Sequence, residues 1–173
     1  MFTPDAGQKV QSAVIELQQA GVDGYVLDLR NNPGGLLETA VGVASRFLKS
    51  GAVLQEKNAK GDIRMVTAET GVRKNGLPMV VLINRGTASA AEIVAGALQD
   101  AKRATLVGET TFGTGTVLSP VRLSDGSELL LAVMEWLTPA GRTIWHKGIA
   151  PDITVSLPPV GSPLVPEAEQ AMT

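Results

Sequence analysis

Apolar residues recur along the chain at two different periods. Val10, Ala13, Val14 and Leu17 lie three or four positions apart, the repeat that gathers side chains on one helical face. Thr3, Pro4 and Asp5 ahead of them suit a helix start and Gly21 a helix end, so the spacing predicts a first helix over residues 4–20. Residues 25–29 are short and apolar, bounded by Gly24 and by Asn31-Asn-Pro-Gly-Gly35, and predict a buried strand. Leu37, Ala40, Val41, Ala44, Phe47 and Leu48 then form a second helical face. Residues 52–56 and 63–67, separated by Asn58-Ala-Lys-Gly61, predict a β-hairpin that projects from the sheet. Residues 79–83 read as the next buried strand, 89–100 as a third helix and 104–108 as another strand. This alternation implies a mostly parallel sheet with helical cover. From Thr116 onward only strands remain: 116–123 and 128–136 flank Ser124-Asp-Gly126, which closes a C-terminal antiparallel β-hairpin. The expected fold class is therefore α/β.

Composition narrows the chemistry. A chain of 173 residues, 44% apolar and 18% charged, is the size and make-up of one independently folding domain. It has no cysteine, so thiol catalysis, disulfides and thiolate metal sites are excluded. The formal net charge is −2, with Lys and Arg scattered singly, and no basic stripe exists to follow a phosphate backbone; nucleic acid is excluded as an expected partner. No stretch reads as a membrane span, a secretion signal, an internal repeat or a low-complexity tract. Both ends are expected to be cut from a longer protein. Residues 158–173 read as a Pro-rich tail and the start of a truncated helix, and any membrane association is expected to come from flanking segments.

Two turns stand out because each follows a predicted strand and opens a helix. One is Asp28-Leu-Arg-Asn-Asn-Pro-Gly-Gly35, the other Gly86-Thr-Ala-Ser-Ala-Ala-Glu92. A helix N-terminus leaves backbone N–H groups unpaired and carries a partial positive charge, so it can stabilise an oxyanion or activate a serine. Ser89-Ala-Ala-Glu92 also matches a capping box, in which serine and glutamate each bond the other's backbone and no catalysis is needed. The Pro-Gly-Gly run is, taken alone, ordinary turn chemistry.

Four separated blocks in order change the balance: Leu27-Asp-Leu-Arg-Asn-Asn-Pro-Gly-Gly35; residues 84–100, which contain Ser89; Gly108-Glu-Thr-Thr-Phe-Gly113; and Lys147-Gly-Ile-Ala-Pro-Asp152. With them, residues 24–152 closely resemble the catalytic domain of the carboxyl-terminal processing, or tail-specific, serine peptidases. The resemblance implies a ClpP/crotonase-like core over residues 1–157, a peptidase domain without the PDZ module usual in that family, and an extracytoplasmic location. It implies a serine-type endopeptidase that needs no cofactor and no metal and acts on unfolded protein C-termini. It marks Ser89 as nucleophile, and the backbone N–H of Ala90 with one from Gly34 or Gly35 as the oxyanion donors.

The resemblance also exposes a departure. The family's dyad lysine lies 25 residues after the serine, and a glutamine commonly follows four residues later; here those positions hold Thr114 and Leu118. A desolvated lysine has a lowered pKa and can accept the serine proton. A threonine hydroxyl can position a water or bond Ser89 but has no protonation change near neutral pH. Three explanations stand: a deliberately inactivated variant, against which the paired change weighs; a natural pseudo-peptidase that binds peptides without cutting them; or an active branch with another base. His146, the single histidine, beside Trp145, is the candidate substitute base. Glu92, one helical turn after Ser89, is expected to cap or to orient a base. Asp28 and Arg30 are expected to form a buried ion pair holding the Gly-Gly turn, and Asp100, unfavourably placed at a helix C-terminus, to be partnered by Lys102 or Arg103.

Overall fold

A computed structural model describes residues 1–69 and 76–156. The expected tail at 158–173 lies outside the described residues. The element order is α1 (Ala6–Gln19), β1 (Tyr25–Asp28), α2 (Leu37–Ser45), β2 (Ala52–Asn58), β3 (Ile63–Thr67), β4 (Met79–Ile83), α3 (Ala90–Asp100), β5 (Thr105–Gly108), β6 (Thr116–Arg122), β7 (Glu128–Leu137) and β8 (Ile153–Thr154). The class is α/β, as the alternation implies.

The first helix is shorter than its periodicity suggests. Pro4 lies outside it and Asp5 is the N-cap, because the Thr3 hydroxyl donates to Asp5 Oδ1 at 2.6 Å while the Ala6 N–H turns back to the Thr3 carbonyl at 2.9 Å. Similarly, α2 stops at Ser45, yet Phe47 and Leu48 beyond it remain buried through the following turn.

Among the described residues, two four-stranded sheets result. The first has the order β1-β4-β5-β8, every pair parallel. Strand β8 has two residues, too few to carry a periodic signal, so nothing in the sequence pattern announces it. The second has the order β3-β2-β7-β6, every pair antiparallel. This corrects the expected placement of the β2–β3 hairpin. Instead of projecting from the parallel sheet, it pairs with the C-terminal hairpin through β7, because Gln55, Glu56, Lys57 and Asn58 lie opposite Leu137, Trp136, Glu135 and Met134.

Helix α3 occupies the centre. Every residue from Ala90 to Leu98 is buried, and α3 packs against α2, β2 and β5, so it touches elements of both sheets. The all-small stretch Ala90-Ala91 and Gly96 permits that enclosure: a Cβ at Gly96 would meet Thr138 Cγ2 at 3.0 Å and Ile149 Cδ1 at 3.2 Å. Burial of this helix on all sides fixes its N-terminus, and with it Ser89, more firmly than helix propensity alone would.

Two expected ion pairs are rearranged. Arg30 does clasp Asp28, with Nη2 to Oδ2 at 2.6 Å, but the side chains are 37% and 47% exposed; the pair is at the surface because β1 ends there and both side chains extend into solvent. Asp100 is partnered by neither Lys102 nor Arg103 but by Arg142 and by the Ala140 N–H at 2.8 Å. The loop after β7 reaches back over the end of α3 and supplies the compensating charge that the helix dipole calls for.

Candidate active site

The two glycine-rich turns are neighbours because β1 and β4 pair in parallel, with Asp28 opposite Leu82. Both strands therefore end at the same edge. Asn84 then knits the turns together. Its Oδ1 accepts from the Asn31 N–H at 2.9 Å and from the Gly86 N–H at 3.0 Å, and its Nδ2 donates to Asn31 Oδ1 at 3.0 Å. Thr87, fully buried, donates its hydroxyl to the Leu29 carbonyl at 2.7 Å, and the Ala88 N–H donates to the Asn32 carbonyl at 2.9 Å. Neither Asn84 nor Thr87 is marked by periodicity; the one sequence signal was that Asn84 opens the block that contains Ser89.

Ser89 sits at the tip with φ 55° and ψ −125°. Few non-glycine residues adopt this region, and the strain is characteristic of a serine presented on a sharp strand-to-helix turn. Gly34, at φ +94°, lies directly against it: a Cβ there would fall 2.8 Å from Ser89 Cβ, 2.8 Å from the Ala90 nitrogen and 2.8 Å from the Ala88 carbonyl oxygen. Only glycine fits. The Gly34 N–H is donated to Asn32 Oδ1 at 3.0 Å, whereas among the described residues no hydrogen bond engages the N–H of Gly35 or of Ala90. Of the two glycines expected as oxyanion donors, Gly35 is the one with its N–H to spare.

Glu92 organises the other side. It is fully buried and accepts four hydrogen bonds, all from neutral donors. Oε2 accepts from the Ser89 N–H at 2.8 Å and the Thr114 N–H at 2.8 Å; Oε1 accepts from the Gly113 N–H at 2.7 Å and the Thr111 hydroxyl at 2.5 Å. The capping interaction is thus present in its glutamate half, while the same carboxylate holds the loop 111–114 beside the serine. The Glu92 N–H itself goes to the Ser89 carbonyl at 2.8 Å. Thr111, which sequence reasoning did not single out, extends the clamp, since its Oγ1 also accepts from the Ile149 N–H at 2.7 Å.

Thr114, Ser89, Ala90, Gly34, Gly35 and Glu92 are therefore brought together. His146 is tied to the same loop through its backbone, its N–H donating to the Gly113 carbonyl at 2.9 Å. Its side chain is exposed, its φ is 56°, and its ring lies against Trp145 with centroids 4.6 Å apart. Asp28 and Arg30 stand at the rim, engaged with each other: Arg30 beside it holds the Asp28 carboxyl below the usual carboxylate range, and Asp28 in turn raises Arg30.

Residues 1–155 match the sequence profile of peptidase family S41. The chain is similar to the carboxyl-terminal-processing protease of Synechocystis sp., 45% identical over 157 residues that make up 91% of this chain and 36% of that protein. It is also similar to the carboxy-terminal processing protease CtpA of Bacillus subtilis, 41% identical over 157 residues, 91% of this chain and 34% of that protein. Among solved structures it resembles the photosystem II D1 C-terminal processing protease, with a TM-score of 0.84 and 42% identity over 90% of this chain and 40% of that one. Mature CPAF shares the fold, with a TM-score of 0.71 and 17% identity over 88% of this chain and 43% of that one. The chain spans about a third of the length of the curated relatives it matches.

Proposed function

The chain belongs to peptidase family S41, and from that premise we propose that it is the catalytic domain of a serine endopeptidase acting on unstructured C-terminal segments of proteins. The observation that supports this most is the strained Ser89 elbow set against the Gly34-Gly35 turn. In the proposed reaction an extended peptide enters as an added strand, and Ser89 Oγ attacks the scissile carbonyl. The carbonyl π electrons move onto its oxygen, and the N–H groups of Ala90 and Gly35 receive that oxyanion. A base accepts the Ser89 hydroxyl proton during the attack and passes it to the amine as the intermediate collapses and its C–N bond breaks, leaving an acyl-enzyme that water hydrolyses. Removing one oxyanion donor from such a site costs a factor of about 10² to 10³ in rate. By the same family resemblance we propose an extracytoplasmic location, and residues 1–157 as the catalytic unit.

Thr114 determines how fast this runs. It occupies the place of the family's general base and cannot serve as one, so cleavage of unfolded protein is expected to be slowed by about 10² to 10⁴. His146, tethered at Gly113, is the proposed substitute. Thr114 also favours a second reading, a domain that grips extended peptides without cutting them.

Labelling with a fluorophosphonate decides between the two. A stoichiometric adduct on Ser89, absent from Ser89→Ala, supports the peptidase; no adduct on the native chain, together with rapid labelling of Thr114→Lys, supports the binding module.

A further inference from the structure

A cavity outside the serine site has Thr116, two residues after Thr114, in its wall. Its volume is about 490 Å³, and it opens on the face of the antiparallel sheet beside Thr116, Val133, Glu135, Lys57 and Trp145. Lys57, Glu135 and Thr116 are consecutive partners across β2, β7 and β6, so their side chains share one face. Lys57 Nζ lies 3.6 Å from Glu135 Oε2, so these two charges engage each other, and Lys60 also lines the cavity. The apolar part of the wall is open to solvent: Trp145 is 49% exposed and Val133 40%.

A short stretch of backbone, residues 114–116, links the candidate active site to the cavity wall. Ser89 and Thr114 share Glu92 Oε2, and Thr116 follows Thr114 by two residues, about 7 Å along an extended chain. Trp145 is held there by backbone packing, since a Cβ on Gly115 would fall 2.3 Å from the Trp145 nitrogen. A peptide leaving Ser89 in extended form alongside residues 114–116, at about 3.3 Å per residue, would come level with Thr116 two or three residues from the bond attacked.

We propose that this cavity is a side-chain subsite of the peptide cleft, selecting a large apolar side chain about two or three residues from the scissile bond. The inference rests on the peptidase reading for the direction of the peptide, but it concerns binding rather than bond breaking. Exposed Trp145 and Val133 supply the apolar wall that would be covered, and the Lys57–Glu135 pair is already mutually engaged, so that an acidic or basic side chain would have to disturb it. Burying a benzyl group in place of a methyl there is expected to tighten binding about tenfold.

The test uses the Ser89→Ala protein, which cannot turn over, and fluorescein-labelled Ala/Ser octapeptides carrying one Phe at each position in turn, one Glu at each position in turn, or neither. Fluorescence anisotropy is expected to show the best Phe peptide binding about tenfold more tightly than the plain one. Trp145→Ala and Val133→Asp should each erase that preference while leaving the plain peptide's affinity unchanged. A preference that survives both substitutions, a preference for Glu, or no binding of any peptide would overturn the subsite. Fluorophosphonate labelling of the native and Thr114→Lys chains separates the two ideas: labelling of Ser89 without a Phe preference defeats only the subsite, and a Phe preference without labelling of either chain defeats only the catalytic reading.

Discussion

The backbone N–H of Ser89 and the backbone N–H of Thr114 donate to the same atom, Oε2 of Glu92, each at 2.8 Å. Residues separated by 25 positions are thereby held by one buried carboxylate oxygen. Whatever side chain stands at position 114 springs from backbone that is fixed relative to the serine, and the identity of that side chain then decides the chemistry.

Restoring lysine at position 114 is expected to raise the fluorophosphonate labelling rate of Ser89 by about 10²-fold or more. Gly113 and Gly115 flank the position and Thr114 is only half-buried, so a longer side chain has room. An unchanged rate in folded Thr114→Lys protein would show that geometry beyond the dyad has diverged.

Residual reactivity of Ser89 in the native chain is expected to depend on His146, falling about tenfold in His146→Ala. The same substitution in the Thr114→Lys background should have no effect, because the amine then takes the proton. Equal labelling of the native chain and His146→Ala would remove His146 from the mechanism.

Glu92→Gln is expected to lower stability by about 1–3 kcal/mol, read from urea unfolding. A glutamine amide must present N–H groups toward at least one of the pairs Ser89/Thr114 or Gly113/Thr111, all of which donate, so one pair loses its acceptor. Stability equal to that of the native chain would mean the clamp contributes nothing.

Gly34→Ala should lower stability by about 1–3 kcal/mol through backbone strain at φ +94°. It should also reduce Ser89 labelling, because the added methyl has to displace the Ser89 Cβ or the Ala90 nitrogen, each 2.8 Å away. Gly21→Ala, where φ is +75° and the added Cβ meets nothing within 4 Å, is the control: it should cost stability and leave labelling intact.

Acid should weaken the rim pair with a definite sign. Asp28 has its folded pKa depressed by Arg30, so the pair contributes stability above the carboxylate's unfolded pKa and loses it as pH falls through the lower folded value. Because both side chains are more than a third exposed, the contribution is about 0.5 kcal/mol after screening. Asp28→Asn should abolish that part of the acid dependence and leave stability at neutral pH nearly unchanged.

What the chain order alone determined was local. Helix and strand periods, the Asn-Asn-Pro-Gly-Gly and Ser-Asp-Gly turns, and the strand–turn–helix position of Ser89 all follow from residues within a few positions of one another, where steric and capping preferences act directly. The departure at Thr114 was legible too, since a single residue type excludes a base. Contacts closed by the fold were not legible: β2 meeting β7, β8 joining the parallel sheet, Arg142 rather than Lys102 facing Asp100, and the exposure of the Asp28–Arg30 pair. The same holds for the site. Ser89-Ala-Ala-Glu92 read as a helix cap, and it is one; only tertiary packing turned the cap's carboxylate toward Thr111, Gly113 and Thr114. A buried carboxylate must find donors wherever the fold brings them, and here they came from a loop about twenty positions away.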